Sequence, residues 1–287
     1  MVKLNSILGN SQKLDGGAMF GNAPKAVWEK WIPADELNRI PLACRALLLQ
    51  TGSANILFET GIGQFFDPKL RERYGVVESD HRLLTNLAAL GLEHNDIDAV
   101  VLSHLHFDHA GGLLSSWEDN KAPQLLFPNA EFVVGKAAWE RALNPHFRDK
   151  ASFVPELNRQ LADSNRLTLV DSESIEVKGQ MIHFHISDGH TPGMLISEIE
   201  LPSTRVYFCA DLIPAAPWVH MPITMGYDRF PERLIDEKQQ LLNRVKEQDA
   251  YLYFTHDHNI AMAKVEQDER GKFRTRETLN ELSAWEG

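Results

Sequence analysis

Residues 98–109 read DAVVLSHLHFDH, and this stretch is the most informative part of a sequence of 287 residues. Its first half, from Asp98 to Ser103, is an apolar run between polar residues, which is typical of a buried strand. Four side chains that can bind a metal ion then follow within six residues, namely His104, His106, Asp108 and His109. Imidazole and carboxylate groups together suit zinc, iron, manganese or cobalt. The stretch therefore predicts a metal site at the end of a buried strand.

The spacing within this stretch predicts how its ligands divide. His104 and His106 are two residues apart, so in an extended chain their side chains point to the same side. Asp108 and His109 lie just before Gly111-Gly112, where the chain breaks and can turn toward a second ion. A polar loop that is merely rich in histidine is the alternative, but the chain has only 12 histidines in 287 residues. Three of them within one hexapeptide favour the metal site.

Apolar runs and amphipathic stretches alternate along the chain, which indicates a mixed α and β class. There is no low-complexity segment, short repeat or long Pro/Gly/Ser linker, so a single domain over residues 1–287 is the simplest prediction. Strands in the middle and helices outside predict two sheets packed face to face. Strands are predicted at residues 46–50, 55–59, 98–103, 181–187, 195–200, 205–210 and 251–254. Helices are predicted at residues 81–90, 136–143, 155–162 and 231–248.

Three further candidate ligands each follow a predicted strand. His190 lies in the stretch Gly189–Gly193, where glycines and a proline fix a tight loop. Asp211 follows the strand at residues 205–210, and His256 follows the strand that ends near residue 254. Taken alone, each histidine would more often be a loop or surface residue. Beside the stretch at 104–109 they complete a set of ligands, because strand ends at one edge of a sheet converge on a cleft.

The order of these motifs resembles the metallo-β-lactamase superfamily. The HxHxDH element at residues 104–109, the GHTPG loop at 189–193, Asp211 and His256 follow the order of that family. The resemblance implies an α/β fold, a four-layer αββα sandwich with helices outside two sheets. Residues 59–63, ETGIG, are similar to the family's DTG loop. Glu59 takes the place of an aspartate that supports the family's metal site without binding the metal.

The resemblance also implies two divalent metal ions held by seven side chains. These are His104, His106 and His190 for the first ion, Asp108, His109 and His256 for the second, and Asp211 for both. His258 is an alternative to His256. We prefer His256 because it lies nearer the strand end and is followed by Asp257, as in the family. Zinc is the expected cofactor, and iron, manganese and cobalt stay open.

The implied reaction is hydrolysis at a binuclear metal centre. Two such ions can share a hydroxide whose parent water has a pKa of about 7, and this hydroxide would attack a carbonyl or phosphoryl centre. Asp108 would act as a catalytic residue by taking up a proton. Some members of the family have lost ligands and are metal-binding proteins without enzymatic activity, but all seven ligand positions are filled here. The sequence therefore favours an enzyme.

Two segments, residues 14–28 and 210–228, resemble a subgroup that includes quorum-quenching N-acyl-homoserine lactonases and methyl parathion hydrolase. The resemblance implies a small-molecule substrate, first a lactone of the N-acyl-homoserine type. Phosphotriesters and aryl esters or thioesters are the alternatives. The candidates for lining an apolar substrate pocket are Met19, Phe20, Trp218, His220 and Tyr227.

One position departs from the lactonases of this subgroup. Many of them carry a tyrosine three residues beyond the bridging aspartate, where its hydroxyl assists the carbonyl oxygen. Pro214 holds that place here. Either Tyr227 or His220 is therefore expected to supply the catalytic donor from the following loop.

Composition restricts the partners and the location. The formal net charge of −11 argues against nucleic acid and anionic lipid as partners. No run reaches the roughly 18–20 apolar residues of a membrane span, and the N-terminus lacks the apolar run of a signal peptide, so a cytoplasmic protein is expected. Cys44 and Cys209 lie in apolar runs and are expected to be free thiols. The loop at Gly16-Gly17 and the helix around residues 83–90 leave a homodimer open.

Overall fold

Two β-sheets pack against each other in the computed structural model, which describes residues 2–287. In chain order, the strands are β1 (Lys3–Leu8), β2 (Gln12–Asp15), β3 (Arg39–Leu42), β4 (Arg45–Gln50), β5 (Asn55–Phe58), β6 (Ala99–Leu102), β7 (Glu131–Gly135), β8 (Leu167–Val170), β9 (Ser174–Val177), β10 (Gln180–Ser187), β11 (Met194–Glu200), β12 (Arg205–Phe208), β13 (Tyr251–Tyr253), β14 (Met262–Gln267) and β15 (Phe273–Leu279). The helices are α1 (Gly16–Phe20), α2 (Lys25–Trp28), α3 (Pro68–Arg73), α4 (Arg82–Ala89), α5 (Phe107–Ala110), α6 (Lys136–Leu143), α7 (Pro155–Asp163) and α8 (Pro231–Glu247).

The first sheet has the strand order β1-β4-β5-β6-β7-β8. Strands β1, β4 and β5 are antiparallel, whereas β5 to β8 run parallel. All four residues of β6 are buried, because a central parallel strand is covered on both faces and so consists of continuous apolar residues. This strand ends at Leu102, directly before the histidine-rich stretch.

The second sheet has the strand order β15-β14-β13-β12-β11-β10-β9. Most neighbours in it are antiparallel, but β12 and β13 run parallel. Their carboxyl ends therefore meet at the same edge of the sheet, and Asp211 and His256 follow these two ends. A separate two-stranded sheet, β2 with β3, lies near the N-terminus.

Alternating side chains of the first sheet face two different layers, because successive residues of a strand point to opposite faces. Leu47 and Phe58 face the second sheet, where Phe58 stacks on Phe208 with ring centroids 6.0 Å apart. Leu48 faces the other way and packs in a core with Leu87 of α4 and buried residues of α6 and α7. Helix α8 covers the far face of the second sheet. The molecule is thus an αββα sandwich, and the fold prediction is confirmed.

Most elements form within a residue or two of their predicted bounds. The strand predicted at 98–103 forms at 99–102, and the helix predicted at 231–248 forms at 231–247. The sequence analysis predicts seven of the strands and misses β1, β2, β3, β7, β8, β9, β14 and β15. In β14 and β15, exposed polar residues interrupt the apolar pattern. Cys44 and Cys209 are free and buried, as expected. Across residues 2–287, no helix is both long enough and apolar enough to cross a bilayer.

Candidate metal centre

Strand β6 brings the histidine-rich stretch to one edge of the first sheet. The short helix α5 follows, with Asp108 in its first turn and His109 in its last. The loop after α5 packs very closely on the turn after β5, since a Cβ atom on Gly112 would lie 2.1 Å from the carbonyl oxygen of Thr60. A glycine at this point therefore allows the ligand-bearing segment to approach the neighbouring backbone.

The loop after β10 carries His190 and is held by carboxylates. Asp188 Oδ1 accepts a hydrogen bond from the backbone N–H of Gly193 at 2.7 Å, which closes the loop. Glu237 of α8 accepts from the backbone N–H groups of Asp188 and Gly189 at 3.0 and 3.1 Å. His190 is consequently fixed, and only 2% of it is exposed.

The predicted ligands come together in two groups, and within each group the ligand atoms lie within 4.8 Å of one another. The first group is His104, His106, His190 and Asp211. The second group is Asp108, His109 and His256. All of these residues are buried except Asp108, which is partly exposed. The two groups match the division of ligands that the resemblance implies.

Asp211 connects the two groups. Its Oδ2 atom lies 3.1 Å from His190 Nε2 and 3.3 Å from His109 Nε2, and its Oδ1 atom lies 3.2 Å from His256 Nε2. One carboxylate therefore contacts histidines of both groups, as a bridging ligand must. His258 is exposed and lies outside both groups, so His256 is the late histidine that faces the site.

Protein partners fix the orientation of the imidazole rings. His190 Nδ1 lies 2.9 Å from Asp228 Oδ1, and His256 Nδ1 lies 2.7 Å from the carbonyl oxygen of Ala43. Because Nδ1 is engaged in each ring, Nε2 is left for a metal ion. His106 is turned the other way, with its Nδ1 atom 3.2 Å from His190 Nε2. His190 Nε2 and His256 Nε2 instead face Asp211, at 3.1 Å from Oδ2 and 3.2 Å from Oδ1.

Glu59 supports two ligands at once. Its Oε2 atom lies 2.8 Å from His109 Nδ1, and its Oε1 atom accepts a hydrogen bond from Ser103 Oγ. Ser103 Oγ in turn lies 2.9 Å from His104 Nδ1. The backbone of Glu59 has a φ of 60°, in the left-handed region that residues other than glycine seldom adopt. Glutamate therefore occupies the supporting position that the resemblance gives to an aspartate.

The donor set fits divalent cations. His104 Nε2 is buried and has no hydrogen-bond partner among the described residues. A buried polar atom without a partner costs free energy, and a cation would satisfy this one. The remaining donors are imidazole nitrogens and carboxylate oxygens, which are the usual ligands of zinc and of neighbouring first-row metals.

The protonation of the site also suits a cation. Burial, together with the charges of neighbouring imidazoles, lowers the pKa of His104 and His106 well below the usual range, so both rings are neutral. Burial also disfavours charge on His109, but the nearby carboxylates, Glu59 foremost, raise its pKa well above the usual range. Burial would raise the pKa of Asp211, yet the surrounding imidazoles hold it well below the usual range. Without a metal ion, the proton on His109 balances the negative charge of the nearby carboxylates, and a bound cation would take over this role.

A cavity of about 500 Å³ opens over the ligands. Its walls are largely apolar and are formed by Leu14, Met19, Leu42, Phe107 and Met225. Arg148 and Asp149 add charged groups on one side. Tyr227 stands at the mouth with 44% of its surface exposed. Met19 and Tyr227 thus lie in the cavity, where the sequence places them.

Three residues that the sequence assigns to the pocket do not line the cavity. Phe20 and Trp218 are buried in the core, where their rings stack with centroids 4.3 Å apart. His220 stacks on Trp31 with centroids 5.1 Å apart. These rings attach their loops to the core instead of facing the ligands. The assignment of Phe20, Trp218 and His220 to the substrate pocket is therefore corrected.

Pro214 also has a clear place in the site. Its carbonyl oxygen accepts a hydrogen bond from the backbone N–H of His256 at 2.9 Å, which helps to position that ligand. Pro214, which stands in the place of the lactonase tyrosine, therefore contributes its backbone carbonyl group to the site. Of the two candidate donors, Tyr227 lines the cavity and His220 does not.

Sequence reasoning missed three residues of the site, namely Ser103, Asp228 and Arg148. Ser103 and Asp228 lie within or beside the recognised motifs, but neither belongs to a metal-ligand pattern. Their proximity to the ligand-bearing segments is the one signal that could have drawn attention to them. Arg148 follows a helix by several residues in polar sequence, and nothing in the sequence marks it.

Comparisons with known proteins agree with this geometry. The family described as the metallo-beta-lactamase superfamily matches residues 39–256. The N-acyl homoserine lactonase AiiA of Bacillus thuringiensis subsp. kurstaki is 26% identical over 242 residues, which cover 77% of this chain and 83% of that protein. A solved structure of a probable metal-dependent hydrolase from Staphylococcus aureus has a TM-score of 0.84 at 30% identity and covers 97% of this chain and 98% of its own.

A second solved structure has a similar fold. AidC, a dizinc quorum-quenching lactonase in complex with the product N-hexanoyl-L-homoserine, has a TM-score of 0.75 at 20% identity, covering 96% of this chain and 94% of its own. The family match itself contains all seven predicted metal ligands. The chain therefore belongs to the metallo-β-lactamase superfamily and is a metal-dependent hydrolase.

Proposed function

We propose that this hydrolase opens lactones of the N-acyl-homoserine type with the help of two divalent cations. The observation that carries the proposal is the position of Asp211 between the two ligand groups, within 3.3 Å of His190, His109 and His256. A single carboxylate in contact with both groups favours two cations over one. Zinc is the first choice of metal, and iron, manganese and cobalt remain alternatives.

The chain's own residues would hold these cations in the division seen in the structure. His104, His106 and His190 bind the first cation, Asp108, His109 and His256 the second, and Asp211 both. Divalent cations in such a set polarise a carbonyl oxygen and lower the pKa of water to about 7. Glu59 and Asp228 keep the imidazoles of His109 and His190 in the orientation that this binding requires.

Asp108 is the ligand best placed to handle protons. It lines the cavity, and 17% of its side chain is exposed, whereas Asp211 is only 6% exposed. Its carboxylate can accept a proton from the attacking water and pass it to the alkoxide that leaves when the ester C–O bond breaks. The products are a carboxylate and a hydroxyl group on the same molecule, as expected for an opened lactone.

Tyr227 is the candidate donor to the substrate. Burial, and then the negative charge of Asp108, raises the pKa of its hydroxyl, so the group stays protonated at neutral pH. A protonated phenol at the mouth of the cavity can donate a hydrogen bond to the carbonyl oxygen of the substrate. His220 cannot take this role because it packs on Trp31 outside the cavity.

The cavity suits a small substrate with an apolar chain. Its volume of about 500 Å³ falls within the range of about 300–1,000 Å³ that is usual for small-molecule sites. Apolar side chains such as Leu42, Phe107 and Met225 form its walls. Relatives named N-acyl homoserine lactonase support the choice of lactone. Phosphotriesters and aryl or thioesters remain the alternative substrates.

The test is an activity panel on the zinc-loaded protein, together with elemental analysis of its metal content. The panel compares hexanoyl-homoserine lactone, an aliphatic lactone without an acyl-amide chain, an aryl dialkyl phosphotriester and an aryl ester. We expect two zinc ions per chain and the highest kcat/KM for the acyl-homoserine lactone. A higher kcat/KM for the phosphotriester or the aryl ester would contradict the lactone assignment. Intact metal binding without any hydrolysis would instead indicate a non-enzymatic metal-binding protein.

A further inference from the structure

Two arginines contact Asp149, a residue that lines the cavity. Arg141 donates to Asp149 Oδ2 through Nε at 2.9 Å and through a terminal nitrogen at 2.7 Å. Arg229 approaches the same carboxylate from another loop, with its Nε atom 3.8 Å from Asp149 Oδ2. Arg148 is adjacent in sequence. Two guanidinium groups therefore contact one buried carboxylate, and a third arginine neighbours it in the sequence, on a chain whose net charge is −11.

Arg148 differs from the other two arginines because it lines the cavity. Its guanidinium donates to the backbone carbonyl oxygen of Gly226 at 2.8 Å, which ties the loop at 146–152 to the loop that carries Tyr227. Within residues 2–287, no carboxylate forms an ion pair with Arg148. Its remaining N–H groups are therefore available to a ligand, and their direction is fixed by the bond to Gly226.

A guanidinium held in this way is suited to bind a carboxylate. It offers a planar set of donors that matches the two oxygens of a carboxylate. Arg148 lines the same cavity as the metal ligands but belongs to neither ligand group, so the group that it binds would differ from the reacting bond.

We propose that Arg148 is a specificity-determining residue that binds a carboxylate at the far end of the substrate's acyl chain. The enzyme then prefers anionic esters or lactones over neutral ones of the same length. This inference rests on the proposed hydrolysis of ester bonds, but it concerns recognition and not the reaction itself. The alternative is that Arg148 only fastens two loops through its bond to Gly226.

Two matched aryl esters distinguish these roles. The 4-nitrophenyl monoester of hexanedioic acid ends in a carboxylate, and 4-nitrophenyl hexanoate has the same chain without it. For the zinc-loaded protein we expect kcat/KM for the anionic ester to exceed that for the neutral ester at least tenfold, mainly through KM. In Arg148→Met this ratio should fall at least tenfold, because kcat/KM for the anionic ester falls more than kcat/KM for the neutral ester. Added salt should reduce the ratio in the wild type but not in the variant.

Arg270→Met is the matched control, because Arg270 lies in the exposed turn between β14 and β15. This control should retain the wild-type ratio. A wild-type preference for the neutral ester would overturn the inference, and so would an unchanged ratio in Arg148→Met. A loss of both activities in Arg148→Met would assign Arg148 to fastening the loops and would also overturn it.

Calorimetry with the 4-nitroanilides of the same two acids separates recognition from turnover. These amides resist hydrolysis, so their dissociation constants are measurable even if neither ester is a substrate. We expect the anionic anilide to bind the wild type at least tenfold more tightly than the neutral one, and Arg148→Met to abolish the difference. That result without ester hydrolysis would refute the proposed function alone. Equal binding of the two anilides, or a preference that Arg148→Met retains, would refute the inference alone.

Discussion

Glu59 and His109 form a fully buried pair, with Glu59 Oε2 2.8 Å from His109 Nδ1 and neither side chain exposed. The same carboxylate reaches His104 through the hydroxyl of Ser103. His104 belongs to the first ligand group and His109 to the second, and both also lie within 4.8 Å of Glu59 in a third cluster. One carboxylate therefore orients a histidine in each of the two ligand groups.

Replacing Glu59 should weaken both halves of the centre. Glu59→Gln keeps the shape of the side chain but removes the charge and one acceptor oxygen. Loss of such a supporting partner typically lowers metal affinity about 10–100-fold. We expect this loss at both sites when zinc binding is measured by competition with a chromophoric chelator. Ser103→Ala should weaken only the site that contains His104, and equal effects of the two variants would contradict the shared role of Glu59.

Replacing Asp211 should change the number of bound metal ions. Asp211→Asn has nearly the same shape but removes the charge that faces His109, His190 and His256. We expect the zinc content, measured by elemental analysis, to fall from two ions per chain toward one. Activity should fall at least 100-fold, which is roughly the effect of losing one electrostatic contact in a catalytic site. His258→Ala is the control and should keep two ions, since His258 is exposed outside both groups. Two tightly held zinc ions in Asp211→Asn would argue against bridging.

Metal binding should release protons, and its affinity should rise with pH. Burial opposes charge on His109 and His256, but neighbouring carboxylates, with Glu59 and Asp211 foremost, raise the pKa of both well above the ordinary value of about 6.5. Both rings are therefore protonated without metal near neutral pH and must lose a proton to become ligands. Raising the pH removes the protons that compete with zinc for these two rings. Calorimetric titrations of zinc in buffers with different ionisation enthalpies measure the released protons, and identical heats in all buffers would refute the prediction.

Tyr227 and His220 should differ in their effect on catalysis. Tyr227→Phe removes the hydroxyl at the mouth of the cavity, so we expect kcat for the lactone to fall roughly 10²-fold, near the lower end for loss of a catalytic proton donor or acceptor. Zinc content should not change. His220→Gln is the control, because the ring of His220 packs on Trp31 away from the cavity. A larger loss of kcat in His220→Gln than in Tyr227→Phe would reverse the assignment.

Phe20 should contribute to folding and not to substrate binding. It is fully buried and stacks on Trp218. Truncating a buried phenylalanine to alanine typically costs about 3–5 kcal/mol of unfolding free energy. We expect a loss of this size in Phe20→Ala by denaturant titration of the metal-loaded protein. The milder Phe20→Leu should leave KM unchanged. A large rise in KM in that variant would show that Phe20 contributes to substrate binding after all.

The sequence predicts the ligands of the metal centre because each one follows a strand. His104, Asp211 and His256 come directly after β6, β12 and β13, whose apolar residues are recognisable without a structure. Parallel neighbours such as β12 and β13 then bring the following residues to one edge. Local patterns therefore predict the mixed α and β class and the candidate ligands, whereas the four-layer sandwich and the division of the ligands into two groups come from the family resemblance.

Other parts of the site depend on contacts that a local pattern does not contain. Phe20 and His220 occur in glycine- and proline-rich segments, where an aromatic ring can line a pocket or pack into the core with equal ease. Only the packing of these rings on Trp218 and Trp31 decides between the two. Arg148 owes its position to a bond with Gly226, 78 residues away in the sequence. Such long-range contacts explain why the ligands are predictable and the cavity wall is not.

The most direct test is anomalous diffraction from crystals of the zinc-loaded protein, recorded on both sides of the zinc absorption edge. It locates each metal ion independently of any assumed ligand. We expect two peaks, one among His104, His106 and His190 and the other among Asp108, His109 and His256, with Asp211 in contact with both. A single peak, or zinc bound away from these seven side chains, would contradict the binuclear centre.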